Sequence, residues 1–230
     1  MTTVTASDGV PLAVFSEGSA SEGSAERTAL LVHGYPDTHR VWDDVASALV
    51  EAGFRVVRYD VRGAGSSGAP ASRDGYRLDQ LADDLFTVID AIGGGPVHLV
   101  GHDWGSIQSW HAVTDPRAPG RIATFTSISG PSLDHAASWF RRRLTPGGIG
   151  LAARQAGKSW YIGVFRLPGV AELMVRRVFP TRSADAVRGL ELYRANFGSR
   201  RPLRFGTSIP VQVIALLRDR YVSPSLATDD

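Results

Sequence analysis

Apolar residues recur along this chain in two rhythms. Short runs at 28–32, 54–59, 97–100 and 122–128 are dominated by apolar and β-branched side chains. Runs of this kind predict strands buried on both faces. Between them the spacing lengthens. Residues 41–51 place Val41, Val45, Ala48 and Leu49 at helical intervals. Residues 78–92 do the same with Leu81, Leu85, Val88, Ile89 and Ile92. Residues 106–113 predict a further helix, closed before Pro116. Two leading stretches, 2–6 and 10–15, predict extended chain around the turn Ser7-Asp8-Gly9. Alternating short strands and amphipathic helices predict a mostly parallel sheet covered on both faces.

The rhythm breaks at Ser132. From there to Ser208 the segments read as arginine-rich helices, and the β pattern resumes at 211–217. A helical insertion between two strands of one sheet explains this better than two consecutive domains. The expected division is a core of 1–131 and 209–230 with a helical cap over 132–208. Near the N-terminus, residues 16–20 and 21–25 are tandem copies of Ser-Glu-Gly-Ser-Ala, with the composition of a surface loop.

Composition narrows the function. The 230 residues are 43% hydrophobic and 21% charged, which fits a folded globular chain rather than a disordered one. The absence of cysteine excludes disulfides, zinc–thiolate sites and thiol catalysis. The N-terminus lacks a basic segment followed by an apolar one, and no apolar run is long enough to span a bilayer, so a cytoplasmic address without stable membrane insertion is expected. The net charge of +2 hides an imbalance: residues 132–208 hold 14 basic and 4 acidic side chains. No nucleic-acid motif or aromatic–basic interleaving accompanies this block, so no nucleic-acid partner is expected.

The sharpest chemical feature is Gly101-His-Asp-Trp-Gly105, which follows a predicted strand and precedes a predicted helix. A Gly-x-Ser-x-Gly sequence at such a junction forms the strained elbow that presents a nucleophile. Here Asp103 takes the central place. An ionised carboxylate needs no base before it attacks carbon, and the attack forms an ester. The competing reading is an aspartate that caps the helix. His33-Gly-Tyr-Pro36 follows the earlier strand, where this architecture takes an oxyanion donor, and Asp219 follows the strand at 211–217.

The stretches Val32-His-Gly-Tyr-Pro-Asp37, Arg58-Tyr-Asp-Val-Arg-Gly-Ala-Gly65, Gly101-His-Asp-Trp-Gly105 and Ser159-Trp-Tyr-Ile162 resemble α/β-hydrolases of the epoxide hydrolase group, which share an aspartate nucleophile with haloalkane dehalogenases. The likeness is nearest to bacterial epoxide-hydrolase-like domains that also occur fused to a short-chain dehydrogenase. No dehydrogenase part is expected in these residues. The resemblance implies that Asp103 attacks an epoxide carbon. It gives the N–H groups of Tyr35 and Trp104 the oxyanion role. Tyr161 and Tyr193 would protonate the epoxide oxygen, and Asp219 would orient a water-activating histidine. The implied substrate is a small apolar epoxide, with no metal or organic cofactor.

The resemblance places that histidine beyond the acid, whereas the last of the six histidines here is His135. The final strand and helix of the fold are accordingly expected to be missing. Three readings follow: an epoxide hydrolase impaired in ester hydrolysis, one completed by a homodimer or another subunit, or a non-catalytic remnant that binds a partner. A dehalogenase is the alternative chemistry, but Tyr35 lacks the side-chain N–H that would hold a halide.

Overall fold

The computed structural model describes residues 1–19, 27–93, 95–198 and 204–229. The second copy of the five-residue repeat, Arg200 and Arg201 lie outside the described residues.

Among the described residues, seven strands form one sheet. They are β1 (Thr2–Thr5), β2 (Pro11–Glu17), β3 (Thr28–Val32), β4 (Arg55–Tyr59), β5 (Val97–His102), β6 (Ile122–Ile128) and β7 (Val211–Ile214). Their spatial order is β1-β2-β4-β3-β5-β6-β7. The pairs β1/β2 and β2/β4 are antiparallel, and the remaining pairs are parallel. Three helices connect the parallel strands: α1 (Asp43–Glu51), α2 (Leu78–Ala91) and α3 (Trp104–Val113).

Successive side chains of a strand point to opposite faces, and the two faces are covered differently. Leu30, Val32, Val57, Tyr59 and Leu99 face Leu81, Leu85 and Ile89 of α2 in the main core. Ala29, Leu31 and Val56 face the other way, onto Trp42 and Ala46 at the start of α1. Leu30, Val57 and Leu99 are fully buried. Burial of each such side chain stabilises the fold by roughly 1.5–3 kcal/mol relative to exposure. The main core also encloses a charge. The Arg62 guanidinium makes a bidentate contact with buried Asp84, at 2.5 and 2.6 Å, and a further bond to Asp8 at 2.7 Å.

Among the described residues, five α-helices stand between β6 and β7: α4 (Leu133–Arg142), α5 (Ile149–Lys158), α6 (Trp160–Phe165), α7 (Val170–Val178) and α8 (Ser183–Asn196). A last short helix, α9 (Pro224–Thr228), follows β7. α8 is fastened to the sheet-bearing part at both ends. Near its start, Arg188 donates to the Gly63 carbonyl at 2.8 Å. At its end, buried Asn196 accepts from Leu78 N–H at 3.0 Å and donates to the Tyr76 carbonyl at 2.8 Å. These bonds satisfy groups that would be costly to bury unpaired, and they hold Tyr193 of α8 above the C-terminal ends of the strands.

Two departures from the sequence expectation bear on the site. β7 stops at Ile214 instead of 217, because its partner β6 stops at Ile128 and the register pairs these two residues. α3 begins at Trp104 instead of 106, because the whole turn is compressed into one residue, Asp103.

Candidate active site

Asp103 is the hinge between β5 and α3. Its backbone is left-handed, with φ 52° and ψ −122°. This conformation is strained for a residue bearing a Cβ. The surroundings enforce it. Asp103 donates its N–H to the Ile128 carbonyl and accepts at its own carbonyl from Ile107 N–H, both at 3.0 Å. The flanking glycines leave room for the bend: a Cβ on Gly101 would lie 2.6 Å from the Gly105 carbonyl oxygen, and one on Gly105 would lie 2.6 Å from that of His33.

The side chain does not cap α3. Instead, Asp103 Oδ1 accepts the backbone N–H of Tyr35 at 2.7 Å. The carboxylate is also held by the backbone N–H of Trp104. Two main-chain donors and the positive end of a ten-residue helix therefore converge on the carboxylate. Burial nonetheless dominates: it pushes the Asp103 carboxyl up to about 6 from its ordinary 3.8, against the lowering effect of these two bonds.

A cavity of about 420 Å³ opens on this carboxylate. Its wall includes all six residues singled out in the sequence: Tyr35, Asp103, Trp104, Tyr161, Tyr193 and Asp219. A second cavity, of about 760 Å³, meets the same carboxylate and is bounded by Tyr35, Tyr161, Tyr193 and residues of α7. Asp103 thus stands where two spaces join. The rings around it form an edge-to-face cluster. Tyr193 lies 6.0 Å from Tyr161, 5.0 Å from Trp104 and 5.5 Å from Tyr35, centroid to centroid. The Tyr35 hydroxyl is committed elsewhere, donating to the Ala186 carbonyl of α8 at 2.9 Å. Burial, reinforced by the nearby Asp103 charge, raises the phenols of Tyr161 and Tyr193 well above 10, so both stay protonated at neutral pH.

Asp219 lies on the cavity wall in the turn after β7. Its Oδ1 accepts the N–H groups of Tyr221 at 2.7 Å and Val222 at 3.1 Å. The histidines have their own settings. His33 is buried, donates from Nδ1 to the Gly34 carbonyl and accepts Val61 N–H at Nε2, and burial lowers its pKa. His39 shares buried Asp60 and stacks on Phe15. His98 meets Thr124, His111 pairs with Asp79, and His135 stacks on Phe205. His102 lines the smaller cavity, with its ring edge-on to Trp42.

Sequence reasoning missed two contributors. Tyr221 borders both cavities and packs edge-on against Tyr161 at 5.1 Å. Its position two residues beyond Asp219, inside an Asx-type turn, was the available signal. Buried Gln155 of α5 holds that turn in place, donating to the Tyr221 carbonyl at 2.7 Å and accepting Ser223 N–H at 2.9 Å. Among the described residues no cluster of His, Asp or Glu is arranged to hold a metal ion, and no helix is long and apolar enough to cross a membrane.

The family model for the alpha/beta hydrolase fold matches residues 29–187. Among curated proteins, the chain is 37% identical over 249 residues to the probable oxidoreductase EphD of Mycobacterium tuberculosis, covering 94% of this chain and 41% of that protein. It is 31% identical to epoxide hydrolase A of the same organism, covering 62% of this chain and 42% of that protein. The chain therefore spans less than half the length of these relatives. Among solved structures, the epoxide hydrolase of Bacillus megaterium in complex with an inhibitor superposes with a TM-score of 0.78 at 22% identity, over 99% of this chain and 86% of that one. A matching fold and a matching family model agree: the chain belongs to the α/β-hydrolase family, and the proteins it is similar to include epoxide hydrolases.

Proposed function

We propose that this protein opens epoxides by covalent attack of Asp103. One carboxylate oxygen attacks an epoxide carbon, the carbon–oxygen bond of the ring breaks, and an ester forms on Asp103. The released oxygen takes a proton from the phenol of Tyr161 or Tyr193, and water then returns a proton to that phenol. Residues 132–208 serve as the cap that carries both phenols. The observation that carries this reading is one geometry: a buried carboxylate, held by the N–H groups of Tyr35 and Trp104, shares a cavity with two protonated phenols. Phenols suit an epoxide, whose oxygen must gain a proton as it leaves. A haloalkane releases an anion that needs no proton, and the hydroxyls offer it less.

Hydrolysis of the ester needs a base to take a proton from water. Asp219 lines the cavity and is the acid this reading assigns to orienting that base. The six histidines of this sequence are engaged elsewhere or, for His102, flank the nucleophile. The residues present therefore account for ester formation first. The N–H groups of Tyr35 and Trp104 would hold the tetrahedral oxyanion of the second step. Incubation with styrene oxide, and in parallel with 1-chlorobutane, tests the reading. Loss of epoxide that is abolished in Asp103→Asn supports it. Halide release without epoxide loss replaces it with dehalogenation, and equal rates for both proteins remove Asp103 from the chemistry.

A further inference from the structure

The outer surface of the cap combines two features that rarely coincide on a solvated helical segment. Residues 141–178 contain eight basic side chains and a single acidic one, Glu172. Glu172 is already engaged by Arg194 and by the Gly169 N–H. Arg154, Arg166, Arg176 and Arg177 are exposed, and among the described residues no carboxylate pairs with them. The same stretch also exposes apolar bulk. Of the seventeen large apolar side chains exposed among the described residues, eight lie between Leu144 and Val178. Single exposed apolar residues are ordinary, but a concentration of them marks a contact surface.

α7 shows how the surface is built. Ala171 and Val175 are buried. Met174 and Val178 border the larger cavity. Val170, Leu173 and Arg177, spaced three and four apart, form the stripe turned to solvent, with Val170 55% and Leu173 62% exposed. A helix facing only water would carry polar residues there. Trp160, at the start of α6, is 61% exposed and also borders that cavity. The mouth of the space leading to Asp103 therefore opens within the apolar and basic patch. Nucleic acid would complement the arginines but leave Leu167, Val170 and Leu173 in water. A bilayer with anionic headgroups accommodates both, with arginines at phosphates and aliphatic and indole groups in the interface.

We propose that this face of the cap docks peripherally on anionic lipid bilayers, with Trp160, Leu167, Val170 and Leu173 in the interface and the mouth of the larger cavity turned toward lipid. The docking is independent of the chemistry at Asp103; the corollary that a lipophilic epoxide enters from the bilayer rests on the reading above. The test is co-sedimentation with vesicles of phosphatidylglycerol and phosphatidylcholine, compared with phosphatidylcholine alone, at low and high salt. Binding is expected to the anionic vesicles and to weaken with salt. The double variant Arg176→Gln/Arg177→Gln should bind about thirtyfold more weakly. Val170→Ser/Leu173→Ser should also lose binding, with an unchanged melting temperature because both sites are exposed. A blue shift of tryptophan fluorescence on binding should vanish in Trp160→Phe. Asp103→Asn should bind as the parent does, so failure of the epoxide chemistry and failure of docking read out separately. Equal binding to both vesicle types or to neither, full binding by the Val170→Ser/Leu173→Ser variant, or a stable dimer that buries this face in solution would each overturn the proposal.

Discussion

Gly34 lies flat against Asp103: a Cβ added to Gly34 would come within 2.5 Å of the Asp103 Cβ. The loop after β3 and the elbow after β5 therefore touch through a position only glycine fits. This contact lets the next residue, Tyr35, aim its N–H at the carboxylate. Gly34→Ala should displace the carboxylate from its two donors and slow ester formation about a hundredfold, the scale set by an ångström of misplacement. Single-turnover consumption of styrene oxide reads this out, and an unchanged rate would show that the close approach has no catalytic role.

The buried setting of Asp103 makes two pH statements together. Ester formation requires the carboxylate, so its rate should rise as pH passes through about 6 and level off above it. Stability should move the other way. A carboxyl raised from 3.8 to about 6 on folding holds its proton more tightly in the folded state. Its contribution is favourable while the group stays protonated and is lost as pH rises from about 4 through about 6, by about 3 kcal/mol. Urea unfolding of the parent and of Asp103→Asn at pH 5 and pH 8 checks the sign. The variant should gain stability relative to the parent at the higher pH.

Tyr161 and Tyr193 are assigned the same task, protonation of the leaving oxygen. Tyr161→Phe and Tyr193→Phe should each slow ester formation about a hundredfold, the lower end of what a positioned acid contributes. Neither should shift the pH midpoint near 6, because that midpoint belongs to Asp103. Rates within a factor of about two of the parent for both variants would place the proton donor elsewhere, with Tyr221 the next candidate on the same wall.

The Arg62–Asp84–Asp8 cluster is a structural prediction away from the chemistry. Arg62 and Asp84 are almost wholly buried and paired at two points. Arg62→Ala leaves Asp84 without its partner in the core, which should cost about 3–5 kcal/mol in urea unfolding. Replacing both residues by apolar ones of similar volume should recover much of that loss, because the pair's attraction and its desolvation penalty largely cancel.

Much of the architecture could be read from the sequence because each strand and helix carries its own burial period. The run at 29–32 is apolar at every position because both faces of β3 are covered. The elbow was legible for a different reason. Gly101 and Gly105 record backbone approaches that a side chain would block, so the spacing itself encodes the turn. Tyr161 and Tyr193 carry no such mark. Within α6 and α8 they look like any aromatic packing residue, and only resemblance to a family singled them out. The order of strands in the sheet, the meeting of two cavities at Asp103 and the support of the Asp219 turn by Gln155 depend on contacts between distant segments, which no local pattern records. The end of β7 at Ile214 was missed for the same reason, since it is set by the length of β6.

The most direct test of the account is to find where the substrate attaches. The protein is mixed with styrene oxide at pH 8, quenched in acid and digested, and its peptides are sequenced by mass spectrometry. The expected result is one added substrate mass, confined to the peptide bearing Asp103 and absent from Asp103→Asn. Modification of another residue, or of none while epoxide is consumed, would contradict the assignment of Asp103 as the nucleophile.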